Sequence, residues 1–139
     1  MKLEIMRRTD YALQALRALG GAERTMQSGE LAACIATTPT FMPQVMKPLV
    51  QAGWVISGTG PSGGYRLAVS LDAISIRDVI EAIEGPTDSG RCVLRSGPCG
   101  DREFCALHDA WTDARSALLE QLSRAPVSAS GGSNERNNQ

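Results

Sequence analysis

The chain has 139 residues, of which 42% are hydrophobic but only 4% aromatic, so a single domain with an aliphatic core is expected. No apolar run approaches the roughly 20 residues that span a bilayer, and the charged segment 1–8 lacks the apolar stretch of a secretory leader; both predict a cytoplasmic protein with no membrane partner. The formal charge of -1 hides an asymmetry: residues 1–66 hold seven Lys/Arg against four Asp/Glu, and residues 67–139 hold seven against eleven, so the first half is the one a phosphate backbone would attract.

In chain order, the first predicted helix covers 9–19 (TDYALQALRAL). Thr9 is its expected cap and Asp10 suits the positive end of the helix dipole. Ala12, Leu13, Leu16 and Leu19 form an apolar stripe at helical spacing, and Gly20-Gly21 ends it. Arg7 and Arg8 precede it. A second helix is predicted over 28–36 (SGELAACIA), capped by Ser28, with Leu31, Ala32 and Ile35 facing inward and Cys34 acting as a small buried filler. After a short break at 37–39, a third helix runs over 40–52. Pro43 falls in its first turn, where the missing N–H is harmless, whereas Pro48 lies in its interior, where a bend or a cost of about 3 kcal/mol is expected. Two short helices joined by a tight turn are a helix-turn-helix outline.

Strands at 54–57 and 65–69 flank the glycine-dense loop GTGPSGG at 58–64. A hairpin placed directly after two such helices reads as a wing, with Arg66 at its root. A further helix at 75–83 carries Ser75 and Asp78 as a capping box and Ile76, Val79, Ile80 and Ile83 as its buried stripe. The last helix, 105–122, has a seam of Leu107, Trp111, Ala114, Leu118 and Leu122 on an otherwise charged surface. Such a helix either packs back on its own domain or pairs with its twin in a symmetric dimer. From Ala125 onward the composition turns to Pro, Ser, Gly and Asn, which predicts disorder.

Between the last two helices stands CVLRSGPCGDREFCALH, residues 92–108, which holds three of the four cysteines and the only histidine. Thiols stay reduced in the cytosol, so clustered cysteines there point to a metal or a redox role rather than a structural disulfide. The gaps of six and five residues differ from the two-to-four-residue gap of most zinc sites. An iron–sulfur cluster on Cys92, Cys99 and Cys105 is the leading reading, zinc held by these three and His108 is the second, and a hard-wired disulfide the third. One histidine and no nucleophile–base arrangement argue against an enzyme; electron transfer at the cysteine site is the reading from another class.

The segments TDYALQAL, SGELAACIA, LVQAGWV, GPSGGYRL and IRDVIEAIEG, with C-x2-H-x2-W from Cys105 to Trp111, together resemble the Rrf-type winged-helix regulators, a family that includes IscR-, NsrR- and RirA-like iron–sulfur proteins. The resemblance covers residues 1 to about 123. It implies a mainly α fold with a small β-wing: a winged helix-turn-helix at 1–70, a connecting helix and cluster loop at 71–101, a long dimerisation helix at 102–124 and a disordered tail at 125–139. It also implies a homodimer on a partly palindromic double-stranded operator, controlled by a [2Fe–2S] or [4Fe–4S] cluster. His108 matches the fourth ligand of the IscR-like proteins. Asp10 falls where the NsrR-like proteins supply an aspartate from the partner subunit. In such a dimer Thr40, Phe41, Gln44 and Lys47 of the recognition helix would meet the DNA at the major groove, with Gln44 suited to adenine, Phe41 to a thymine methyl or to the core, and Lys47, like Arg66, to phosphate. Ser62, Gly63, Gly64, Tyr65 and Arg66 of the wing would meet the backbone or an adjoining groove.

Overall fold

A computed structural model describes residues 3–94, 97–99 and 104–129. Its core is built from the apolar stripes of the first helices. Helix α1 (Arg7–Ala22) buries Ala12, Leu13, Ala15, Leu16 and Leu19. Helix α2 (Ser28–Cys34) buries Leu31 and Ala32, and α3 (Met42–Gln51) buries Met42, Val45, Met46 and Leu49. Ile35, just past the end of α2, is also buried. The three helices converge on one cluster that also takes in Met26, Val55, Ile74, Val79 and Val127.

Strands β1 (Val55–Gly58) and β2 (Gly64–Leu67) pair antiparallel, with Val55 opposite Leu67 and Ile56 opposite Arg66. Met26 adds a one-residue third strand: its N–H donates to the Tyr65 carbonyl and its carbonyl accepts from the Tyr65 N–H, both at 2.8 Å. This is the wing. Gly63 and Gly64 are required there, because a Cβ on Gly63 would lie 2.7 Å from the Gly58 carbonyl oxygen and one on Gly64 would lie 2.4 Å from that of Met26. A 3-10 turn (Leu71–Ala73) leads to α4 (Ile76–Glu84), where Ser75 and Asp78 form the expected capping box. Helix α4 packs on α1, and α5 (His108–Arg124) packs on α4. The winged helix is as expected, and no helix among the described residues is long and apolar enough to cross a membrane.

Several expected boundaries differ, each for a physical reason. Helix α1 starts at Arg7 with Met6 as its N-cap, so Thr9 is not the cap but a fully buried residue of the first turn. It runs through Gly20-Gly21 to Ala22, and Glu23 supplies the left-handed cap at φ 51°. Gln27, not Ser28, caps α2 by exchanging hydrogen bonds with Glu30. That helix stops at Cys34, whose side chain is exposed rather than a core filler, because Leu31, Ala32 and Ile35 define an inward face that excludes it. Helix α3 starts at Met42 and continues through Pro48 to Gln51. Strand β1 lies one residue later than expected, and β2 starts one residue earlier and ends two earlier. Helix α5 starts at His108, since Cys105 and Leu107 belong to the loop and cap before it. Residues 125–129 are not loose: Val127 is fully buried and donates its N–H to the Ile74 carbonyl at 2.8 Å. The remainder of the expected tail, 130–139, and the expected helix start near residue 102 lie outside the described residues.

Candidate functional site

The loop that leaves α4 is anchored at its root. Gly85 ends the helix with its N–H on the Glu81 carbonyl, 3.1 Å away. Two residues on, Thr87 donates both its hydroxyl, at 2.5 Å, and its N–H, at 3.3 Å, to the Glu81 carboxylate, which Arg77 also reaches at 3.1 Å. The Thr87 hydroxyl, the Thr87 N–H and then the Arg77 guanidinium hold the Glu81 carboxyl below the usual glutamate range. From this fixed root the chain folds back on itself, with the Cys92 N–H donating to the Gly97 carbonyl at 2.8 Å.

The fold brings the three cysteines of the loop together. The sulfurs of Cys92, Cys99 and Cys105 all lie within 4.8 Å of one another; Cys105 is buried and the other two are half-buried. None of the four cysteines is joined in a disulfide. Backbone N–H groups point at two of the sulfurs, that of Leu94 at Cys92 Sγ, 3.4 Å away, and that of Cys105 at Cys99. The Cys105 N–H favours a Cys99 thiolate, yet the neighbouring thiols of Cys92 and Cys105 and the loss of solvent outweigh it, and the Cys99 thiol is pushed up. Three soft donors converging this closely repel one another as anions. They become compatible when a cation or a cationic cluster core sits among them. The donor set therefore fits a thiolate-bound metal centre.

The sulfurs open into a cleft of about 220 Å³ shared with His108, Trp111 and Arg115 of α5 and with Asp88 of the loop root. His108 occupies the first helical position, its ring stacked on Phe104 at 4.0 Å between centroids and 19° between planes. It is in the cleft but outside the set of three close donor atoms. Asp10 sits far up the chain in the first turn of α1, exposed, accepting from Gln14 Nε2 at 2.8 Å; its expected role is toward a partner subunit. Composition and cysteine spacing did not single out Arg115. Its signal is the series His108, Trp111, Arg115, spaced to share one face of α5.

In the helix-turn-helix, Thr40, Gln44 and Lys47 are exposed along α3 and the turn before it. Phe41 is half-buried, its ring edge-on to Tyr11 at 5.9 Å, and the Arg7 guanidinium lies over Tyr11 at 5.7 Å. Phe41 therefore joins α3 to α1, half-buried against the core. In the wing, Ser62 and Arg66 are exposed. Gly63 is buried with its N–H on the Gly60 carbonyl at 3.0 Å, and the Tyr65 N–H is held by Met26. Of the expected wing contacts, Ser62 and Arg66 are thus the exposed ones, with Gly64 and Tyr65 half-buried.

Known proteins share this architecture. Residues 5–128 match the family model described as Rrf2, iron-dependent transcriptional regulator. The HTH-type transcriptional regulator IscR of Vibrio cholerae is 36% identical over 83 residues, 60% of this chain and 47% of that protein; IscR of Vibrio vulnificus is 32% identical over 96 residues, 69% of this chain and 56% of that protein. The chain thus spans about half the length of these curated relatives. Among solved structures, CymR, the global cysteine regulator of B. subtilis, superposes with a TM-score of 0.74 at 26% identity, covering 91% of this chain and 94% of that one. T. potens IscR superposes with a TM-score of 0.69 at 22% identity, covering 91% and 85%, a likeness of fold. These relatives are regulators rather than enzymes, and the chain belongs to the Rrf2 family of transcriptional regulators.

Proposed function

We propose that this chain is a cytoplasmic, homodimeric repressor whose grip on a partly palindromic operator is set by an iron–sulfur centre on Cys92, Cys99 and Cys105. The observation that carries the reading is the gathering of three thiols within 4.8 Å at the foot of α5, in a fold of the Rrf2 family. His108 stands in the same cleft as a fourth donor, and Asp10 is the alternative from the partner subunit. When bound, the cluster supplies an iron site that oxidants, nitric oxide or iron loss can alter. The protein's own residues do the rest. Thr40, Gln44 and Lys47 are presented for a major groove, and Ser62 and Arg66 for the adjoining backbone. Helix α5 has no buried residue along its 17-residue length and keeps Leu118 47% exposed, which suits a face that pairs with a second copy.

A second reading rests on the same distances. Three thiolates bound to one zinc ion at about 2.3 Å each stand roughly 3.8 Å apart, a spacing compatible with sulfurs that all lie within 4.8 Å of one another. CymR, a structural relative, is described as a global cysteine regulator, which favours a thiol-switch variant of the same reading.

Anaerobic purification separates them. Brown protein with iron and acid-labile sulfide supports the cluster; colourless protein with stoichiometric zinc supports the second reading. Operator selection followed by titration then tests control. Cys99→Ser should change operator affinity at least tenfold relative to the loaded protein, and unchanged affinity across all three single serine variants would exclude both.

A further inference from the structure

The cleft that holds the three sulfurs also holds an arginine on the rigid side of the site. Arg115 lies on α5, two turns after His108, with only 27% of its side chain exposed. Its Nη1 donates to Asp88 Oδ1 at 3.4 Å, across 27 residues. The same Oδ1 accepts the Gly90 N–H at 3.1 Å, two residues before Cys92. One carboxylate oxygen therefore ties the limb carrying the first cysteine to a helix that does not belong to the loop. Arg91 also borders the cleft, but it is exposed and belongs to the loop itself.

We propose that Arg115 is a positioning residue for the thiol centre: through Asp88 it latches the Cys92 limb onto α5, and its guanidinium is the fixed positive charge in the wall facing an anionic metal–sulfur group. The inference rests on the reading of the cysteines as a metal–sulfur site. An exposed ion pair would contribute little. This one is 65% exposed at Asp88 but shielded on the arginine side, and a guanidinium spreads its charge and offers several donors, so it can hold Asp88 and face the sulfurs together. Each added electron makes such a centre more negative, so a nearby cation stabilises the reduced state more than the oxidised one.

The test uses the full chain as purified without air, with the variants Arg115→Gln, Arg115→Lys and Asp88→Asn. Hydrogen exchange of amides 88–94 is followed on protein stripped of metal, and the midpoint potential is measured on iron–sulfur-loaded protein. Exchange should be about tenfold faster in Arg115→Gln and in Asp88→Asn, and close to wild type in Arg115→Lys. The potential should fall in Arg115→Gln by about 59 mV, a tenfold change for one electron, and be largely restored in Arg115→Lys. A loss of packing alone would speed exchange in Arg115→Lys as well and leave the potential in place; that result would overturn the proposal. Unchanged exchange in Arg115→Gln would overturn the latch. If wild-type protein takes up no cluster, the iron–sulfur reading fails on that count, and the exchange comparison still decides the latch.

Discussion

Thr9 and Glu84, 75 residues apart, meet where α1 begins and α4 ends: the Thr9 hydroxyl donates to Glu84 Oε1 at 2.5 Å, and the same oxygen accepts the Met6 N–H at 2.6 Å. A carboxylate at the C-terminal end of its own helix is poorly placed for that helix's dipole. Here it serves instead as the N-terminal cap of another helix, whose local N-cap, Met6, has no side chain able to accept a hydrogen bond. Glu84→Ala should therefore destabilise the fold by about 1–2 kcal/mol, the usual effect of losing a cap, with the urea midpoint lowered and the slope unchanged. Thr9→Val should recover the methyl packing but not the hydrogen bond. Glu84→Ala protein that unfolds at the wild-type midpoint would mean that water caps α1 equally well.

The wing makes a sharper distinction between two glycines. Gly60 has φ +83° but open space where a Cβ would stand, whereas Gly64 combines φ +142° with a Cβ position 2.4 Å from the Met26 carbonyl oxygen. Gly60→Ala should cost about 1–2 kcal/mol from backbone strain alone. Gly64→Ala should cost more, because the Met26–Tyr65 pairing must open as well. Equilibrium unfolding of the two variants checks the order, and equal losses would show that the third strand yields freely.

How much of this was legible in the sequence depended on whether the cause was local. Leu13, Leu16 and Leu19 announce α1 because helical spacing and burial are the same fact seen twice. The wing was legible because a turn this tight needs its glycines nearby in the chain. The three thiols were legible as donors, although their convergence depends on the path of a loop whose anchors, Thr87 on Glu81 and Asp88 on Arg115, follow no short-range pattern. The cap on α1 was illegible for the same reason: Thr9 looks like a cap by type, but the acceptor comes from α4. Ser28 was the obvious cap for α2 by residue type, yet Gln27 stands in the extended conformation and its side chain completes the box with Glu30.

Glu81 predicts a pH dependence at the root of the cysteine loop. Its carboxyl titrates below the ordinary glutamate range in the folded chain, chiefly because Thr87 donates to it. A folded-state value lower than the unfolded one stabilises the fold fully above the unfolded value and loses that stabilisation as pH falls through the lower one. Wild type should therefore exceed Glu81→Gln in stability at neutral pH. The difference should shrink only as pH drops below the usual carboxylate range. Denaturation of both proteins over a series of pH values measures it, and a difference that stays constant with pH would remove Glu81 from the account.

Val127 tests whether the segment after α5 is part of the domain. It is fully buried, its N–H donates to the Ile74 carbonyl at 2.8 Å, and its own carbonyl accepts Arg17 Nε at 3.1 Å. Just before it, the Ala125 carbonyl accepts the Ile76 N–H at 2.8 Å, so the segment closes α5 back onto the start of α4 and onto α1. At about 0.8 kcal/mol per buried carbon, Val127→Ala should cost roughly 1.6 kcal/mol before any cavity is counted. Ending the chain after Arg124 should cost more, because it removes those three hydrogen bonds along with the side chain. It should also loosen α5, the helix that carries His108 and Arg115, and so raise exchange across the cysteine cleft more than Val127→Ala does. Thermal unfolding gives the first comparison and hydrogen exchange the second. A truncated chain as stable as the full one would show that α4 alone holds α5 in place.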